Sequence, residues 1–120
     1  MEASVGQINA FLSKARFYLQ RGKMDFIRGK EEKQTLSQLG ISIRDAFALV
    51  YDLTVENYYR GPSADHKIPT ESVWEFGWEE EPQDIYIKLK FRSVRDDLLM
   101  MSFHFANRPI VYPYKKRRYD

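Results

Sequence analysis

Asp84-Ile85-Tyr86-Ile87-Lys88-Leu89-Lys90-Phe91-Arg92 is the stretch on which the reading of this chain turns. Ile85, Ile87, Leu89 and Phe91 alternate without a break with Tyr86, Lys88, Lys90 and Arg92. At period two, a strand sends its apolar members to one face and its phenol and cations to the other. The pattern describes a sheet with one packed face and one open face. Three cations and a tyrosine on the open side form a receptor for a polyanion.

Two further strands are expected beside it, Ser72 to Trp78 and Leu98 to Phe105, joined through short polar turns that carry Pro82 and Asp96-Asp97. Connections this short permit only antiparallel hairpins. Parity sends Trp74, Phe76 and Trp78 to the core and brings Glu75 to the polar face with Val73 and Gly77. In the last strand Met101, Phe103 and Phe105 belong with the core, which leaves Met100, Ser102 and His104 beside Tyr86 and Lys88.

The first half of the chain reads as helical. Ser4 and Gln7 form a capping box ahead of Val5, Ile8, Phe11, Leu12, Ala15, Tyr18 and Leu19 at helical spacing, and Gly22 stops the run. Met24 to Arg28 is a short strand candidate closed by Gly29. A second helix is expected over Glu31 to Leu39, ended by Gly40. Ser42 and Asp45 cap a third, with a stripe of Ile43, Ala46, Phe47 and Val50, and Thr54 opens one further turn. Arg60 to Thr70 holds Gly61, Pro62, Ser63 and Pro69 and reads as a loop able to fold over the rim of the sheet. Helices followed by strands make the α+β class, with N-terminal helices packed on a mainly antiparallel sheet of about three to four strands.

At 120 residues and 14.3 kDa, a single domain over 1–120 is expected, with material for one core. Net charge is only +2, so the distribution of charge is more telling. Glu79, Glu80 and Glu81 cluster, whereas cations gather in the 84–92 strand and at Lys115-Lys116-Arg117-Arg118. The tail from about 108 to 120 reads as an ordered strap through Tyr112-Pro113-Tyr114 and then a basic end. Without cysteine there are no disulfides or thiolate metal sites, which fits a reducing cytoplasm. A polar N-terminus and the lack of any apolar run of spanning length point to a cytoplasmic protein without a membrane partner. Two histidines, His66 and His104, do not make a zinc site, and neither metal nor cofactor is expected.

The open face has what RNA cleavage needs without a metal. A base must take the ribose 2′-OH proton, an acid must protonate the departing 5′-oxygen, and cations must hold the phosphorane charge. Histidine serves near neutral pH as acid or base. Lysine and arginine suit phosphate, and tyrosine stacks on a base or bonds a phosphate oxygen. Plainer readings exist for each residue. Alternating lysines describe any solvated sheet face, a histidine between Phe103 and Phe105 fits a packing role, and a basic tail also keeps a chain soluble.

Leu39-Gly40-Ile41, Asp52-Leu53-Thr54-Val55-Glu56-Asn57-Tyr58-Tyr59-Arg60-Gly61-Pro62, Val73-Trp74-Glu75-Phe76, Ile85-Tyr86-Ile87-Lys88-Leu89 and Ser102-Phe103-His104 follow one another in the order seen in the MqsR family. The chain resembles those type II toxin–antitoxin toxins over roughly residues 9 to 106. The resemblance implies a RelE-like fold, a sequence-selective endoribonuclease acting on single-stranded mRNA, and neutralisation by a cognate antitoxin. It implies Tyr86 and Lys88 as site residues. It also aligns Arg60 and His104 with positions that hold lysine in the best-known branch, and Glu75 with a glutamine. Arg60 binds phosphate but is a poor proton donor, whereas His104 is a better acid or base than lysine. The expected catalytic set is His104, Tyr86, Lys88, Arg60 and Glu75, with Glu75 the acid–base partner of His104. Lys90, Arg92, Tyr59 and Ser102 are the expected RNA-binding residues.

Overall fold

In the computed structural model, which describes residues 2–116, three helices precede most of the sheet. α1 (Val5–Gln20) opens on Ser4, whose hydroxyl accepts from the Gln7 N–H while the Gln7 side chain accepts from the Ser4 N–H. Two donors that the first helical turn would leave bare are thereby satisfied. α2 (Lys30–Leu39) ends at Gly40, and α3 (Ile43–Tyr51) repeats the reciprocal cap with Ser42 and Asp45. A 3₁₀ turn at Val55–Asn57 follows.

Five strands complete the fold: β1 (Met24–Phe26), β2 (Tyr58–Ala64), β3 (Ser72–Trp78), β4 (Ile85–Arg92) and β5 (Asp97–Phe105). Their order across the sheet is β1-β5-β4-β3-β2. The α+β class holds, and the sheet is larger and more mixed than expected. β1 runs parallel to β5, a pairing that needs the long crossover through α2, α3 and three strands. The segment read as a loop from Arg60 is a strand as far as Ala64. Its Pro62 is tolerated because β2 is an edge strand, with no neighbour waiting for the missing N–H. Gly61 has φ 114°, and a Cβ there would lie 2.7 Å from the Val73 carbonyl oxygen, so only glycine fits this close approach. Turn-type residues in this stretch therefore shape an irregular edge strand.

α1 and α3 cover one sheet face. Ile8, Phe11, Leu12, Ala15, Ala46, Phe47 and Val50 pack with Tyr58, Phe76, Ile85, Ile87, Leu89 and Phe103 in a single cluster. Phe11 stacks on Trp74 at 4.7 Å between ring centres, so Trp74 faces the helices. The alternation in β4 acts as its sequence requires. In β5 a register shift opposite Lys88–Leu89 inserts Met101 as an extra residue. The bulge reverses parity below it. Met100, expected with Ser102 and His104, is fully buried in the core, and Met101 is only half-buried.

Beyond Met100, β5 has no strand on its β1 side, and α2 supplies acceptors instead. The Glu32 carboxylate accepts from the Phe103 N–H at 3.4 Å and the Thr35 hydroxyl from the Phe105 N–H at 3.3 Å. A buried edge thus keeps its backbone donors satisfied.

The β2–β3 loop folds back over the open face and changes its character. Lys90, expected to project into solvent, is 5% exposed. Its Nζ lies 3.2 Å from Asp65 and 2.8 Å from Glu71, both carried by that loop. Arg92 is likewise engaged, with Asp97 at 2.5 Å and Asp25 at 3.1 Å. The cations of the lower half of β4 are therefore neutralised. Lys90 and Arg92, expected as open charges, are instead held in ion pairs by these carboxylates.

Burial draws the Lys90 pKa down, but the hydrogen bonds that its ammonium donates to Glu71 and Asp65 more than offset it, so the ammonium titrates above its ordinary value. Asp65 is held below the carboxylate range by the Ile68 N–H and then by Lys90, and Glu71 by Lys90 and the Ser93 N–H. Lowered carboxylate pKa values mean stability that is whole above the unfolded values of about 4 and is lost as pH falls through the folded ones. Lys90→Ala is expected to cost about 3 kcal/mol, the low end for breaking a buried ion pair, because one loop alone covers the cluster. Lys90→Met is expected to cost less and to reduce the loss of stability below about pH 4. Thermal melts of both variants between neutral and acid pH check this, and parental acid sensitivity in Lys90→Met would contradict it.

Candidate active site

The upper half of the open face remains accessible, and strand register assembles it. Arg60 on β2 pairs with Glu75 on β3, Glu75 with Lys88 on β4, and Lys88 with Ser102 on β5. In the adjacent row Gly77 pairs with Tyr86 and Tyr86 with His104. β2 is also bulged, since Tyr58 and Arg60 face the consecutive residues Phe76 and Glu75. The extra residue lets Tyr58 stay in the core while Tyr59 and Arg60 both reach the open side.

Glu75 lies at the centre of this arrangement and is 6% exposed. One carboxylate oxygen accepts from Arg60 Nε at 2.9 Å, and the other accepts from the Tyr86 hydroxyl. A buried carboxylate is stable only when its lone pairs and charge are answered, and both partners come from neighbouring strands. The Arg60 side chain is 62% exposed, so Glu75 holds it by Nε while the rest of the guanidinium remains available. Its Cζ lies 4.8 Å from the Tyr59 ring centre. Glu75 raises the Arg60 pKa, first through this hydrogen bond. Burial, and then the hydrogen bond to Glu75, push the Tyr86 phenol well above the usual tyrosine range, so it is a fixed donor.

His104 stands against Tyr86, ring centres 5.3 Å apart. Its Nδ1 is 2.9 Å from the Phe105 carbonyl oxygen and 3.6 Å from a Glu31 carboxylate oxygen on α2. An Nδ1–H donating to that carbonyl leaves Nε2 with its lone pair, the form of a proton acceptor. The side chain is 14% exposed and lines the clefts on both sides of it. Lys88 makes no ion pair with any described residue.

Two clefts meet over this set. The larger, of about 450 Å³, runs along the bulged β2 and its loop past Glu75 and Lys88. The smaller, of about 230 Å³, lies between Tyr59, His104 and the segment after β5. Arg60 and Tyr86 border both. The segment after β5 is the strap. A Cβ on Gly77 would come within 2.5 Å of the Tyr112 hydroxyl and 2.8 Å of Ile110, so the strap crosses the open face in direct contact with the backbone. The Tyr112 hydroxyl donates to Asp84 at 2.8 Å and that of Tyr114 to the Ala3 carbonyl at 2.6 Å. Lys115 pairs with Glu79 at 2.6 Å, while Arg117 and Arg118 lie outside the described residues.

Of the residues singled out in the sequence, Arg60, Glu75, Tyr86, Lys88, Ser102, His104 and Tyr59 share this region, and Lys90 and Arg92 sit apart in their ion clusters. Asn107 and Arg108 also line the smaller cleft. They follow the last alternating residue of β5, and no periodicity marks them. Among the described residues no three His, Asp or Glu side chains converge as a metal site would require, and no helix is long and apolar enough to cross a membrane. Neither protein-family models nor curated proteins show a match to the chain.

In spectrophotometric titration Tyr86 is expected to ionise only above the ordinary tyrosine value of about 10, assigned by its loss in Tyr86→Phe. Glu75→Gln is expected to bring that midpoint only part of the way down, because burial is the larger cause. An ordinary midpoint in the parent protein would contradict the buried hydrogen bond.

Proposed function

We propose that this protein is a toxin-type endoribonuclease that cleaves single-stranded mRNA in the cytoplasm by metal-independent attack of the ribose 2′-OH. The reading includes a RelE-like fold of MqsR type and a cognate antitoxin that neutralises the activity. One observation carries it. A histidine whose Nδ1 is committed to a backbone carbonyl packs against Tyr86, at a cleft bordered by the exposed Arg60 guanidinium and one strand step from the unpaired Lys88 ammonium. An acid–base group beside two phosphate-binding cations is the equipment for this reaction.

In the mechanism, the 2′-oxygen attacks phosphorus as His104 Nε2 takes its proton. The bond from phosphorus to the 5′-oxygen breaks, and Lys88 gives a proton to that oxygen. The products are a 2′,3′-cyclic phosphate and a 5′-hydroxyl. Arg60 holds the non-bridging oxygens, with Ser102 beside Lys88 as a further donor. Glu75 acts differently from the acid–base role expected of it. With both oxygens engaged, it positions Arg60 and Tyr86. Tyr86 and Tyr59 offer ring faces on which bases stack. The same committed carboxylate favours a second reading, a RelE-like RNA- or protein-binding module without catalysis, since it leaves His104 without the acid–base partner expected in Glu75.

Purified protein is expected to cut a generic mRNA in EDTA, and binding without cutting would favour the second reading. His104→Ala is expected to lower the rate about 10²–10⁴-fold and Lys88→Ala about 10²–10³-fold, with the thermal midpoint of each nearly unchanged. A folded His104→Ala protein that cuts at the parental rate would make the histidine a packing residue.

Salt dependence separates the open cations from the neutralised ones. With Arg60 and Lys88 as the phosphate contacts, the slope of log affinity against log salt for single-stranded RNA is expected near −1.4, at about −0.7 per contact. Arg92→Gln should leave it unchanged. A slope near −3 that Arg92→Gln flattens would return Lys90 and Arg92 to the RNA path.

A further inference from the structure

We propose that the smaller cleft is a purine-binding subsite, in which Asn107 and Arg108 of the strap read one base next to the scissile phosphate and so set the sequence that is cut. The proposal rests on the ribonuclease reading for its position beside the phosphate, and its base preference can be measured without cleavage.

The cleft has the shape and chemistry for a single base. Its volume of about 230 Å³ falls below the roughly 300–1,000 Å³ of ordinary small-molecule pockets. It is therefore too small for a run of nucleotides. Aromatic faces bound it at Tyr59, Tyr86 and His104, and unstacked RNA bases are held by stacking on such rings. From the strap, Asn107 and Arg108 also line the cleft, residues that carry a carboxamide and a guanidinium. Both side chains are exposed, and Arg108 has no carboxylate partner among the described residues. A carboxamide pairs in two-point fashion with the N6/N7 edge of adenine, and a guanidinium with the O6/N7 edge of guanine. Both edges belong to purines.

Two further features make the cleft a built site. Its wall is anchored, since Ile110 and Tyr112 lie directly on Gly77, Tyr112 bonds Asp84, and Tyr114 bonds Ala3. The backbone that carries the reading groups is thereby held to the sheet a few residues on, so less backbone ordering cost attends binding. The two clefts share Arg60 and Tyr86 as a common border. A phosphate held at Arg60 therefore has one neighbouring nucleotide in each cleft.

The test uses oligonucleotides UUXUUU with 2′-deoxyribose throughout, which cannot be cut by 2′-OH attack, with X each of the four bases. Fluorescence anisotropy with parental protein is expected to show tighter binding for a purine at X, by about 5- to 150-fold, the range for one good two-point base contact. Asn107→Ala or Arg108→Ala should reduce that preference towards uniformity while affinity for the X = U strand changes less than about twofold. Arg108→Lys keeps the charge and loses the fork, so it should lose preference as Arg108→Ala does if guanine is read. Equal affinity for all four bases, or a preference that survives both alanine changes, would overturn the subsite. A protein that cuts no RNA but keeps a strap-dependent purine preference would remove the ribonuclease reading and leave the subsite standing. A protein that cuts RNA without base preference would do the reverse.

Discussion

A carboxylate in the middle of a sheet face, closed off from water, has to be answered from both sides, and at Glu75 the answers come from the two flanking strands. Arg60 is held from the edge strand β2 and Tyr86 from the central strand β4. If either partner left, a buried charge would lose part of its compensation. The constraint therefore fixes more than one residue. It keeps the bulge in β2 in place, aims a mostly exposed guanidinium across the clefts, and locks the phenol ring against which His104 packs. A glutamine here would satisfy the phenol without anchoring the cation by charge.

Much of this was legible from alternation. Period two in β4 assigned Ile85, Ile87 and Leu89 to the core, and the same logic brought Glu75, Ser102 and His104 to one face with Tyr86 and Lys88. Capping residues marked the helix starts, because Ser4 and Ser42 each meet a side chain three residues on. These inferences depend on neighbours in sequence, and local patterns encode them well.

What stayed hidden depends on residues far apart in the chain. Met100 went to the core because a bulge shifts the register at Met101, and a one-residue insertion leaves no mark in composition. Lys90 lost its freedom to two acidic residues of a loop whose path no periodicity describes. The edge strand hid behind Gly61 and Pro62, residues that signal a turn in isolation and an irregular edge in context. Tertiary geometry decided each case. The division runs across the open face itself, whose upper half keeps available cations and whose lower half is an ion cluster under a loop.

The strap has a consequence for the order in which the molecule comes into being. Synthesis runs from the N-terminal side at about 5–20 residues per second. The segments of the helices, of β1 and of the β2–β3 hairpin, with Arg60 and Glu75 on it, are made before β5, on which β1 pairs. His104 arrives with the last strand, and the wall carrying Asn107 and Arg108 only after that. The last tie of the strap reaches back to the segment before α1, as Tyr114 bonds the carbonyl of Ala3 and packs against Tyr58. A chain made only as far as β5 thus carries an unfinished cleft, and the wall of that cleft is fixed only once Tyr114 has met Ala3.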